Sequence, residues 1–425
     1  MDSIDFNGIL AGRKNRIAAT LIITGFCYFI FCITGNLCTF TDNLTVSVVT
    51  GGMYGDNNFC QYLHPFLCLI IKVLNPLLPT ADVFMLVTHV FLLGCILCLV
   101  YLILCHFPTK SIKLWRLEDY ITVALGLLFV LWFVWGQNLF NTNYTVQTAS
   151  LIFVGLLAVF VAKDESRSCR WIILGTILIG LGFLYRLAGA LLFLPFIGLE
   201  VATELIRSED WKAEAGKIFH YVMPCLILIA LLLCSKWAFI SQEPYATDTK
   251  YTTYRTTAVD YPMKYWGEEG IDEEHTGVDQ TTYQNATNWS FIDTDIITAD
   301  ALERIANTGS KMKYPYTMTG LKSALRDMAY EAFRRDIHLC IMAVLCLILT
   351  IWNIAAGSDR WLRTEAACSL AGGFIILLYF TFRGRALIRV WQCVLMAVLC
   401  ILIITILKSL RNREKKLQKT FRNDL

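Results

Sequence analysis

The sequence predicts an all-α polytopic membrane protein with about ten transmembrane helices, an interfacial helix in the first external loop and a small external domain. Three observations predict it. Hydrophobic residues make up 56% of the 425 and charged residues 17%, with a mean hydropathy of +0.54. A soluble domain carries about 45–50% and about 25%, so much of this surface never meets water. Apolar runs of about 20 residues, the length that crosses the hydrocarbon, recur with basic residues at their ends. One polar block, residues 240–335, is long enough to be a separate module. Residues 1–239 then hold helices 1–7 with a first external loop at 41–80, and residues 336–425 hold helices 8–10 with a basic cytoplasmic tail.

The first run, Ile17 to Phe40, follows Arg13, Lys14 and Arg16, which places the N-terminus in the cytoplasm; no small-residue cleavage site closes it, so it reads as a retained helix. Residues 59–78 are apolar but interrupted by Gln61, His64, Pro65, Lys72, Asn75 and Pro76, which makes them interfacial. Val83 to Cys105 crosses inward to Lys110, Lys113 and Arg116, Tyr120 to Val134 goes out, and Thr148 to Val161 returns to Lys163, Arg167 and Arg170. Trp171 to Ile206 is a 36-residue apolar stretch interrupted by Tyr185, Arg186, Glu200 and Glu204, long enough for a hairpin broken near Tyr185-Arg186. His220 to Phe239 exits, Ile337 to Ala356 re-enters, Ala366 to Phe380 leaves and Val390 to Leu407 returns. An eleventh span at 59–78 would strand the basic tail KSLRNREKKLQK outside, so parity supports the interfacial reading.

Net charge is +3, and the basic residues flank apolar runs without forming a stripe, which argues against a nucleic-acid partner. Most of the sixteen cysteines lie in apolar segments, the polar block has none, and no paired CxxC pattern suggests structural zinc. Within the polar block, aromatics such as Trp266 and Trp289 predict a folded lid or recognition domain. Thr298 or Asp300 is a candidate N-cap, and Gly320 to Phe333 a candidate amphipathic helix. Asn43, Asn143, Asn285 and Asn288 occupy N-x-S/T patterns on the expected outer side.

The segment TFTDNLTVSVVTGGMYGDNNFCQYLHPFL carries the candidate chemistry. Asp42 stands at the external mouth of the first helix, Asp56 heads the interfacial stretch and His64-Pro65 opens its apolar part; either acid, taken alone, is an ordinary loop carboxylate. Arg186 interrupts an apolar stretch, where a charge needs a wet cavity or a partner, and serves as a substrate anchor, half of an ion pair, or a snorkelling anchor. Arg383, Arg385 and Arg389 crowd one short external loop against the positive-inside bias, which calls for an anionic partner, a headgroup contact or a shifted helix. Gln137 and Asn138, with Gln147, offer amides for sugar hydroxyls, while Trp135 and Tyr144 suit the interfacial aromatic belt.

A long first external loop opening on an acid, then a Gly-rich turn, a second acid and a His-Pro before an interfacial helix, resembles the GT-C superfamily of polytopic glycosyltransferases. The resemblance covers mainly residues 17–110; Phe66 stands where the family has a second proline, and Asn43 where it has an adjacent acid. It implies a sugar transferred from a polyprenyl-phosphate carrier to an envelope glycan or protein acceptor outside a bacterial cytoplasmic membrane. In this reading Asp42 is the catalytic base, Asp56 the second acid and candidate ligand of a divalent metal, and His64, Arg186, Arg383, Arg385 and Arg389 bind substrate. No cofactor is demanded. The chemistry suits these residue types independently: a carboxylate takes the acceptor proton, and arginine forks take a leaving phosphate. A flippase for lipid-linked saccharide and a polysaccharide polymerase or ligase are the rival classes.

Overall fold

The computed structural model describes residues 13–34, 50, 59–79, 81–106, 143–162, 168–288, 297–331, 337–357, 359–385 and 387–423. Of the described residues 83% are helical and none forms a strand; an isolated antiparallel bridge pairs Met263 with Ser310. Six described helices are long and apolar enough to cross a membrane: Val83–Cys105, Leu187–Arg207, Trp211–Ile240, Ile337–Ala356, Arg360–Phe382 and Ile388–Asn412. The chain is therefore an all-α integral membrane protein. The span expected at 120–134 lies outside the described residues, as does 35–40 of the first.

Two compact units divide the chain. The first comprises Met1–Leu232, His338–Gly373 and Gln392–Leu425. Its helices are α1 (Arg13–Thr34), α2 (Pro65–Leu74), α3 (Val83–His106), α4 (Tyr144–Ala162), α5 (Ser168–Tyr185), α6 (Leu187–Leu191), α7 (Leu194–Arg207), most of α8 (Trp211–Ile240), α14 (Ile337–Ala356), the first part of α15 (Arg360–Phe382) and nearly all of α16 (Ile388–Asn423). A helix apolar all round is buried, and α4 is the case in point, with every residue from Tyr144 to Phe160 inside.

α4 packs most extensively on α5, and small residues set that contact: a Cβ on Gly175 would stand 2.7 Å from the Gly155 carbonyl oxygen, and one on Gly155 2.9 Å from that of Gly175. Without a hydrophobic drive between lipid-bathed helices, such close backbone approach carries the association. Gly175→Leu is expected to push the pair apart and cost about 3 kcal/mol, the upper end of overpacking, seen as a lower unfolding midpoint. Gly198→Leu, at a site with nothing within 4 Å of the added Cβ, should leave the midpoint unchanged.

Thiols along α16 mark its path. Cys393 donates to the Thr145 carbonyl at 3.5 Å and Cys400 to that of Phe153 at 3.7 Å, so α16 runs parallel to α4. Cys346 of α14 donates to Leu395 O at 3.7 Å and Asn353 to Leu402 O at 3.4 Å, so α14 is parallel to α16 as well. Leu21, Ile22 and Phe29 of α1, Leu226 and Leu231 of α8, and Leu347 and Ile351 of α14 are exposed apolar side chains, as a lipid-facing surface requires.

The second unit, Leu233–Ile337 with Phe374–Trp391, contains α9 (Tyr245–Asp260), α10 (Glu273–Thr276), α11 (Gln280–Thr287), α12 (Ala299–Gly309) and α13 (Met318–Tyr330). Its own core gathers Ala258, Ile271, Tyr283, Ala286, Ile297, Leu302 and Ile305, with Trp266 and Met263 packed against it. Thr298 caps α12 by accepting from the Ala301 N–H at 3.2 Å, and Asp300 sits in the first turn. Lys250 pairs with Asp300 at 2.6 Å and Glu303 at 2.7 Å, tying α9 to α12. The Tyr283 hydroxyl, pushed up to about 12 by burial, donates to Lys264 O at 2.8 Å. Against the opposing effect of burial, Lys313 and the Tyr314 hydroxyl hold the Asp327 carboxyl below its usual range.

Candidate functional site

The candidate site of the first unit is built on the junction of α5 and α6. α5 ends at Tyr185, whose side chain is wholly buried against Phe84 and Phe91, with its hydroxyl 3.2 Å from Thr88 Oγ1. The next residue, Arg186, is extended (φ −163°, ψ 112°) and caps α6, its carbonyl accepting from the Ala190 N–H at 3.3 Å. An extended residue between two helices turns successive side chains to opposite sides. Tyr185 thereby fixes the junction while the half-buried Arg186 departs from it.

The first turn of α4 receives Arg186. Its Nη1 donates to Thr145 Oγ1 at 2.7 Å and Tyr144 Oη at 3.1 Å, and its Cζ lies 5.0 Å from the Tyr144 ring centroid. Tyr62 stacks on Tyr144 at 5.9 Å. One turn along α4, Gln147 is buried, and its Nε2 has no partner among the described residues. Asn143, also buried, spends its Oδ1 on the Thr145 N–H at 2.8 Å; that N-x-T asparagine is occupied in capping α4.

His64 positions this region. Its backbone N–H donates to Leu184 O at 2.8 Å, and its Nδ1 accepts from the Phe66 N–H at 3.2 Å as the N-cap of α2. With Nδ1 accepting, Nε2 carries the hydrogen and donates to Leu232 O at 2.9 Å. Both ring nitrogens are thus engaged by backbone, and the side chain, 3% exposed, stitches the α2 entrance to α5 and α8.

No carboxylate pairs with Arg186 among the described residues, and its Nε and Nη2 are open there. A guanidinium presents five N–H donors in a fork that matches two oxygens of one phosphate or carboxylate. Thr145, having accepted from Arg186, has its own hydroxyl hydrogen to offer a ligand oxygen. The arrangement suits a singly or doubly charged oxyanion flanked by aromatic surface.

In the second unit, Arg385 is already matched: its Nη2 lies 3.0 Å from Asp260 Oδ2 and its Nη1 donates to Tyr261 Oη at 2.8 Å. Its Cζ lies 4.8 Å from the Tyr261 centroid and that of Arg383 lies 5.2 Å from the same ring. Arg383 also donates to Met312 Sδ at 3.5 Å. Gly384 between them is left-handed (φ +75°), and a Cβ there would stand 2.5 Å from Pro262, so glycine is required for the turn to seat. Arg389 is half-buried on the first turn of α16. The anionic partner that the arginine-rich turn calls for is, for Arg385, Asp260 of the polar block.

Asp42, Asp56, Gln137 and Asn138 lie outside the described residues. Of the expected substrate ligands, the structure brings His64 and Arg186 to one place and gathers Arg383 and Arg385 at another. No group of three or more His, Cys, Asp or Glu suited to a metal occurs among the described residues. Sequence reasoning missed Tyr62 and Thr145, whose contacts join distant segments, and took Tyr144 for a belt residue. Comparison of the chain with protein-family models, with curated proteins and with solved structures gives no match.

Proposed function

We propose that the protein is a membrane glycosyltransferase that moves a sugar from a polyprenyl-phosphate carrier to a glycan or protein acceptor at the outer face of the cytoplasmic membrane, with ten crossings and both termini inside. The observation that carries this reading is Arg186, a guanidinium with no described carboxylate partner at a helix junction in a membrane protein, beside two hydroxyl groups and aromatic surface. Holding an uncompensated charge there is expensive unless an anion shares it. A lipid phosphate supplies that anion and an apolar tail together.

In the reaction the acceptor oxygen attacks the anomeric carbon and its proton passes to Asp42. The bond from that carbon to the phosphate oxygen breaks, and the phosphate leaves with the electron pair and the added negative charge. Arg186 binds that oxyanion, and its attraction grows as the charge develops. Asp56 orients the acceptor, or holds a divalent metal if one is bound.

Asp42→Asn is expected to lose about 10²–10⁴-fold in transfer, the worth of a positioned general base, while purified protein still binds donor. Normal transfer by Asp42→Asn would remove Asp42 as the base. A flippase would tolerate Asp42→Asn and fail with Arg186→Ala, so the two variants separate transferase from transporter.

A further inference from the structure

Three carboxyl groups converge on one lysine where α7, α15 and α16 meet in the first unit. Lys408 Nζ pairs with Glu200 Oε1 and, at 2.6 Å, with Glu204 Oε1. Glu200 and Glu204 share one face of α7 at i, i+4 spacing. Arg207, a turn further, pairs with Glu204 at 3.0 Å and with Asp359 at 2.8 Å. Glu365 of α15 faces Glu200, Glu204 and Lys408, and Arg207 lies within its electrostatic reach. Cys400 of α16 faces Glu200.

Glu365 is 1% exposed and Glu200 0%. Among the described residues neither oxygen of Glu365 has a partner in hydrogen-bond geometry, nor has Glu200 Oε2. Three buried acceptor oxygens thus stand together without a donor among the described residues. An ionised carboxylate accepts only, so two facing carboxylates cannot satisfy each other; one added proton turns one oxygen into a donor and removes one charge. Lys408 is already engaged by Glu200 and Glu204. The described residues offer no group of ligands suited to a metal.

We propose that this cluster is a proton-binding site: Glu365 carries one exchangeable proton within the membrane-spanning unit and directs it at Glu200 Oε2. The site is independent of the transferase reading. It ties α15 to α7, which Lys408 joins to α16, through a hydrogen bond that exists while the proton is held, so proton release leaves two facing carboxylates and loosens the junction.

Infrared difference spectroscopy of the purified full-length protein tests it. At neutral pH the wild type should show the carbonyl stretch of a protonated carboxylic acid, displaced in D2O. Glu365→Gln should lose that band, and Glu200→Gln should keep it at a displaced frequency because the acceptor has changed. Glu303→Gln, at an ion pair in the second unit, should leave it unaltered. Absence of the band in the wild type would overturn the site without any variant. Its persistence unchanged in both Glu365→Gln and Glu200→Gln would overturn it too.

Discussion

Arg186→Ala is expected to lower kcat/KM for sugar transfer about 10²–10³-fold, the loss seen when one donor to a developing oxyanion is removed. The protein should still fold. Within the described residues the Arg186 side chain bonds only to the hydroxyls of Tyr144 and Thr145, which can turn to other acceptors, and Tyr185, not Arg186, is the buried residue of the junction. Arg186→Lys keeps the charge but not the fork, and should recover part of the loss. Loss of folding in Arg186→Ala, with transfer normal per folded molecule, would make the residue structural. Steady-state kinetics beside an unfolding midpoint decide between these outcomes.

Lys408→Met should be the most destabilising single change in the first unit. Glu200 is wholly buried and the Lys408 side chain is 13% exposed, and removing one partner of a buried ion pair costs about 3–5 kcal/mol because the remaining charge has no compensation. The unfolding midpoint should fall accordingly. Lys408→Met combined with Glu200→Gln removes both charges and should recover much of that loss, since residues in contact are not additive. If the double variant is as unstable as the sum of the single ones, the two groups do not act on each other and the charge argument fails.

The fold class was legible because the bilayer imposes a length: runs such as Val83 to Cys105 and Ile337 to Ala356 carry their assignment in composition alone. The break at Tyr185-Arg186 was legible for a related reason, since a charge inside an apolar run disrupts a lipid-facing helix. His64-Pro65 announced the start of α2 because proline is preorganised for a first helical turn. Pairings across the chain were not legible. Asp260 and Arg385 are 125 residues apart, and nothing local to either identifies the other. Glu200, Glu204, Glu365 and Lys408 each stand out as charges in apolar runs, but their convergence depends on how α7, α15 and α16 pack, which hydropathy does not encode. Tyr62 and Thr145 were invisible for the same reason: an aromatic and a hydroxyl are ordinary until one is found stacked on Tyr144 and the other bonded to the Arg186 guanidinium. The role of His64 differs from a ligand's in a way only geometry shows, because both ring nitrogens are taken by backbone groups.

The central claim is that Arg186 is an oxyanion receptor for a lipid phosphate, and binding to the purified full-length protein tests it most directly. A short polyprenyl phosphate and the matching neutral polyprenol should be titrated into the wild type and Arg186→Gln. The wild type should prefer the phosphate by at least about tenfold, a difference of about 1.4 kcal/mol, and Arg186→Gln should bind both lipids alike. Equal affinity of the wild type for phosphate and alcohol, or an undiminished preference in Arg186→Gln, would contradict the account.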